Sequence, residues 1–157
     1  MKSLILLLAL AAGNLNADVV RPSPEYSWVD ATGARKSSKA FLGRPVVVLV
    51  ANSPRDWAFR SQVGQLQKMY ERLAAEKIVC VAAFSQTPGV VRSNIPFVIA
   101  ADGPRLAYDL QVTKGFAIAV IGKDGNLDYF GRRVVPVRRI YDILDNSFVV
   151  QKALRRN

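Results

Sequence analysis

Residues 45–56 read Pro45-Val46-Val47-Val48-Leu49-Val50-Ala51-Asn52-Ser53-Pro54-Arg55-Asp56. The run from Val46 to Ala51 is apolar at every position and rich in β-branched residues. An unbroken apolar run of this length, bounded by Pro45 and Asn52, predicts a strand covered on both faces. That is the pattern of a central strand in an α/β sheet. The polar residues that follow carry helix-start chemistry. Ser53 can cap, Pro54 suits the first helical position, and Asp56 can return a bond to the cap.

Downstream, Phe59, Val63, Leu66, Tyr70 and Leu73 recur at spacings of 4, 3, 4 and 3. This is one stripe of an amphipathic helix reaching about Glu76, with Gly64 a small internal cost. A second apolar run, Ile78 to Phe84, completes a strand–helix–strand unit, which predicts parallel pairing. Ser85 to Asn94 reads as a polar loop and Ile95 to Ala100 as a short extended stretch. Asp102-Gly103-Pro104 opens a shorter helix through Leu106, Ala107 and Leu110. Phe116 to Ile121 is another buried strand. Lys123-Asp124-Gly125-Asn126 predicts a tight turn, because Asp-Gly accepts positive φ, and Leu127 to Phe130 returns antiparallel. Pro136 opens a last helix, with Val137, Ile140, Tyr141 and Leu144 inward and Arg138, Arg139 and Asp142 outward.

Upstream, Tyr26 to Asp30 reads as a short strand, Ala31-Thr32-Gly33 as a turn, and residues 18–25 as an extended leader. The start of the chain is different in kind. Lys2 precedes the apolar run Leu4 to Ala12, and Leu15-Asn16-Ala17 fits the small-residue cleavage rule, so residues 1–17 read as a signal peptide. The run is too short for a bilayer, which needs about 20 apolar residues. Export to the periplasm or the extracellular space is the expectation. The remaining 140 or so of the 157 residues form one domain at 26–147 and a basic tail at 148–157.

Composition narrows the chemistry. The chain holds one cysteine, Cys80, and no histidine. An intramolecular disulfide is impossible, and Ser-His-Asp, Cys-His and imidazole–zinc systems are excluded. No metal or cofactor is expected. Cys80 lies inside the apolar run Ile78 to Phe84 and reads as a buried core thiol. The net charge is +10. Part of it is local: Arg132, Arg133, Arg138, Arg139, Lys152, Arg155 and Arg156 face only Asp142 and Asp145 within residues 132–157. Such a patch favours anionic partners or is a solvated face. Aromatic residues are sparse there, which argues against nucleic acid.

The order of elements resembles the thioredoxin-like fold, a central mixed sheet of about four to five strands flanked by helices. Tyr26 to Gly33, followed by Ser38 to Val48, resembles the opening segment of peroxiredoxins and exported thiol–disulfide oxidoreductases. Phe97 to Val112 and Ile121-Gly122-Lys123-Asp124-Gly125 resemble their later segments. A closer likeness is to short exported thioredoxin-like domains of unknown function, which share the glutamines Gln62, Gln65 and Gln67 and the Ile-Gly-Lys-Asp-Gly turn.

The departures carry as much as the match. The resemblance implies a Cys-x-x-Cys pair at the first helix start, where the helix N-terminus lowers the thiol pKa. Those positions fall near Arg55 and Ala58, and a peroxiredoxin thiolate near Phe59 or Arg60. The cis-proline of the resembled families falls on Ala117, where a trans bond is expected. Gly115 and Phe116 keep the approach to it. The first expectation is therefore a redox-inactive binding or adaptor module. Its candidate site is Ser53, Arg55, Asp56 and Trp57 with Gly115 and Phe116 opposite, and its partner a protein or an anionic envelope component. The alternatives are a basic surface binding anionic polymer or lipid, and a thiol or peroxide enzyme relying on Cys80.

Overall fold

The structure is a computed structural model describing residues 21–147 and Arg155. The signal-peptide reading of residues 1–17 lies outside the described residues, as does the tail reading for all but Arg155.

The apolar run Val46–Ala51 forms strand β3, and all six of its residues are buried. Its side chains alternate between two cores. Val47, Leu49 and Ala51 pack with Phe59, Leu66 and Ile140 on one face. Val46, Val48 and Val50 pack with Leu106, Leu110 and Phe41 on the other. Two buried faces explain why the strand shows no polar alternation. Burying each valine or leucine is worth about 1.5–3 kcal/mol, which makes this strand the spine of the domain.

The expected strand at Tyr26–Asp30 is seen as β1 (Ser27–Val29), and beyond the turn a second short strand not expected from the sequence, β2 (Arg35–Ser37), pairs with it as an antiparallel hairpin. After β3 come α1 (Trp57–Gln67), α2 (Tyr70–Ala75), β4 (Val79–Phe84), β5 (Val98–Ile99), α3 (Gly103–Asp109), β6 (Ala117–Ile121), β7 (Leu127–Gly131) and α4 (Val137–Asp145). The main sheet has the order β5-β4-β3-β6-β7. Strand β4 pairs parallel with β3, as the strand–helix–strand unit predicts. Strand β6 pairs antiparallel on the other side of β3, and β7 antiparallel with β6. Gly125 takes φ +80° in the connecting turn. The extended leader is seen from Arg21 onward. It lies against that turn, with the Ser23 amide donating to the Gly125 carbonyl at 3.0 Å.

Two expectations are corrected. The single helix reaching Glu76 is two helices. The Lys68 and Met69 amides donate three residues back, to Gln65 and Leu66, and this tighter winding rotates the stripe. Met69 enters the core at 1% exposure while Tyr70, expected inward, is 44% exposed. A flexible thioether fills the irregular space under the break. In α4, Ile143 joins the buried residues, whereas Val137 and Tyr141 are only half-buried.

The glutamines of α1 fasten α4. Gln62 is fully buried; its Nε2 donates to the Val135 carbonyl at 3.0 Å and its Oε1 accepts from the Val135 amide at 2.7 Å. Gln65 Oε1 accepts from the Val137 amide, the first of α4, at 3.0 Å. Leaving either buried Val135 group unpaired would cost about 1–3 kcal/mol.

Candidate functional site

The candidate site sits where β3 runs into α1. The expected cap geometry is corrected by three residues: the helix begins at Trp57, with Asp56 rather than Ser53 at the N-cap. Ser53-Pro54-Arg55 forms a turn before it. The Asp56 carboxylate points back into that turn, accepting from the amides of Asn52 (3.0 Å) and Ser53 (3.4 Å) and from Ser53 Oγ (3.0 Å). Ser53 Oγ in turn accepts from the Arg55 amide at 3.2 Å. Asp56 is thus spent on its own loop. The first intrahelical bond is the Arg60 amide to the Asp56 carbonyl. The amides of Trp57, Ala58 and Phe59 therefore have no partner among the described residues.

A residue outside the sequence-predicted set joins the two sides of the corner. Asn52 Oδ1 accepts from the Gly115 amide at 3.1 Å and from Ser85 Oγ at 3.2 Å. It ties the ends of β3 and β4 to the approach of β6. The signal was present: an amide side chain directly after a fully apolar strand has to find partners where the strand ends. Gly115 holds φ +81° there, a conformation that favours glycine. The peptide bond before Ala117 is trans, as expected.

The predicted residues thus divide. Ser53, Arg55, Asp56, Trp57 and Gly115 come together at the corner. Phe116 is buried and belongs to the same core as Phe59 and Ile118, so it is not presented to solvent at the corner. Trp57 is 72% exposed and Arg55 is exposed. These two side chains are what the corner presents to solvent.

Cys80 is the second residue of β4, buried, and burial pushes its thiol up to about 12. It faces the core shared with α1 and α4. Among the basic residues, Arg132, Arg133, Arg138, Arg139 and Arg155 are exposed. Arg132 is partly engaged, donating to the Gln111 carbonyl at 2.9 Å with its guanidinium 5.7 Å from the Phe130 ring centre. Lys152 and Arg156 lie outside the described residues. No group of metal-ligating side chains is found among the described residues, and no described helix is long and apolar enough to cross a membrane.

Comparison with known proteins adds the fold. No protein-family model and no curated protein sequence matches the chain, so the closer likeness to short exported domains of unknown function has no matching model behind it. Solved structures do match. The thioredoxin domain of a thiol-disulfide oxidoreductase from Bacteroides vulgatus superposes with TM-score 0.63 at 13% identity, covering 77% of this chain and 93% of that one. An exposed lipoprotein thioredoxin from Streptococcus pneumoniae gives 0.59 at 12% identity, over 76% and 96%. A 2-Cys peroxiredoxin from Plasmodium vivax gives 0.60 at 15% identity, over 85% and 96%. Strand order, helix placement and these superpositions agree: the chain has a thioredoxin-like fold.

Proposed function

We propose that this protein is an exported, redox-inactive binding module built on the thioredoxin-like scaffold. One observation carries the reading. At the corner where thiol chemistry on this scaffold exploits a helix start, the exposed side chains are Arg55 and Trp57, while the chain's single thiol is buried one strand away with its pKa raised to about 12. At neutral pH such a thiol holds almost no thiolate, the reactive form. The corner instead offers an indole, a guanidinium and three unpartnered amides, which suit contact with a polar or anionic group. Residues 1–17 as a signal peptide, and the resemblance in fold to a protein described as an exposed lipoprotein, support the export component.

Two measurements test this. The native protein is expected to leave a maleimide reagent unreacted and to add nothing to the reduction of insulin by dithiothreitol; labelling of Cys80 without denaturant would overturn the redox-inactive reading. Partner capture from the cell envelope is expected to be lost in Trp57→Ala/Arg55→Ala at an unchanged melting temperature. Equal capture by variant and wild type would remove the corner as the binding site.

A further inference from the structure

Beside the corner, a cleft of about 810 Å³ opens between α1 and the chain after β4, and it shares Ser53, Pro54 and Arg55 with the corner. Its wall is mixed. Pro54, Val63 and Val90 supply apolar surface, and three arginines, Arg55, Arg60 and Arg92, supply charge. No carboxylate lines it.

These arginines differ from others in the domain. Arg72 is ion-paired with Glu76 and Asp145, and Arg105 with Asp109. Arg44 donates to the Lys77 carbonyl. The side chains of Arg55, Arg60 and Arg92 make no hydrogen bond or ion pair with any described residue. Three uncompensated cations around one concave surface concentrate positive potential there.

An independent feature lies along the same cleft. The chain is pinned at Thr87, whose amide donates to the Asn52 carbonyl, and again at Ser93, whose Oγ takes bonds from Gln67 and the Ile95 amide. Between these points, the backbone groups of residues 89–92 pair with no described protein group. Val90 within this stretch is 84% exposed. A segment held at both ends, outside any helix or strand, with free N–H and C=O groups can serve as a template for an added strand.

We propose that this cleft binds an extended acidic segment of a partner protein, which lies along residues 89–92 and places its carboxylates on Arg55, Arg60 and Arg92. Only a peptide supplies all three things the wall offers to bind: backbone groups for 89–92, carboxylates for bidentate arginine pairing, and apolar side chains for Val63 and Val90. A bilayer surface is too flat to reach a concave wall, and an anionic polysaccharide has no apolar side chains to place. The proposal deepens the binding-module reading and rests on it, and beyond the shared Arg55 it adds Arg60, Arg92 and residues 89–92, which the corner does not use.

The test uses the full mature chain and a fluorescein-labelled peptide of alternating glutamate and valine. The matching lysine–valine peptide and a heparin oligosaccharide serve as controls. The acidic peptide is expected to bind, to weaken with added salt, and to slow hydrogen exchange at residues 89–92. Arg60→Ala and Arg92→Ala are each expected to weaken binding about tenfold, and the charge reversal Arg60→Glu to weaken it further. The melting temperature should not move, because both side chains are exposed and unpaired. Equal binding of the acidic and lysine peptides, unchanged affinity in Arg60→Ala/Arg92→Ala, or capture of heparin without the acidic peptide would each overturn the proposal. The two readings fail separately. Envelope partner capture lost in Trp57→Ala but intact in Arg60→Ala/Arg92→Ala removes the cleft and leaves the corner. Peptide binding with no effect of Trp57→Ala on capture removes the corner and leaves the cleft.

Discussion

Two strand-to-helix corners in this chain carry the same punctuation, an aspartate close to a proline, and end in different states. At α3, Asp102 caps the helix directly: its Oδ1 accepts from the Arg105 amide at 3.0 Å, and Pro104 has no amide to satisfy. Gly103 is buried so tightly that an added methyl would drive into the backbone of Phe84. At α1, Asp56 turns away from its helix to hold Asn52 and Ser53, and three first-turn amides stay open beside an exposed Trp57. The first corner is closed and serves packing. The second is stabilised from behind and presents its front. The same residue types therefore mean different things according to which neighbours claim the carboxylate.

Breaking the closed corner should have the largest effect. Gly103→Ala is expected to lose about 3 kcal/mol or more of unfolding free energy in urea titration, because a backbone carbonyl cannot move aside as a side chain can. A loss below about 0.5 kcal/mol, the level of an ordinary surface change, would mean the strand end yields and the corner is not closed.

The contrast between buried thiol and open corner can be sharpened by pH. Burial raises the Cys80 pKa from 9.0 to about 12. The folded state therefore holds its proton where the unfolded chain has lost it. Stability from this group is complete below pH 9 and is lost as pH rises towards 12, at about 1.4 kcal/mol per pH unit. Half-buried Tyr26, whose hydroxyl is also raised by desolvation, adds to the slope above its ordinary value of 10.0. Between pH 9 and 10, Cys80→Ala should flatten the slope relative to wild type; identical slopes would show that the thiol is not shielded.

The smallest effects compare the two corners directly. Asp102→Ala removes a true cap and should cost about 1 kcal/mol. Trp57→Ala removes a side chain that is 72% exposed and should stay within about 0.5 kcal/mol. If Trp57→Ala cost as much as Asp102→Ala, the indole would be serving the fold, and its place in a binding surface would be lost.

Much of the fold was legible because its signals are local. A six-residue β-branched run with no polar member, bounded by Pro45 and Asn52, fits a strand buried on both faces, and the Asp-Gly turn accepts a positive φ that few other pairs do. The legible part of the site was its position, since a polar cluster must follow where an apolar strand ends. Its membership was less legible. Gly115 and Phe116 are neighbours in sequence, yet Phe116 is buried in the same core as Ile118 and Val120 while Gly115 meets Asn52 at the corner. Asn52 carries no signal of its partners in the sequence, because Ser85 and Gly115 are brought near only by the folded sheet. The break at Met69 was hidden because a 3.6-residue period fits Tyr70 as well as any rotated alternative.

The sequence by itself determined the strand spine, the places where the helices begin to within a few residues, the absence of a second cysteine, and the solitary cysteine's apolar setting. These follow from residue type and spacing along the chain. The tertiary structure decided which carboxylate caps and which turns back, that Gln62 and Gln65 hold α4, and that Arg55, Arg60 and Arg92 gather around one cleft. Each of those outcomes depends on partners distant in sequence, and the competition for a hydrogen bond or a counter-charge is settled only when the chain has brought its competitors together.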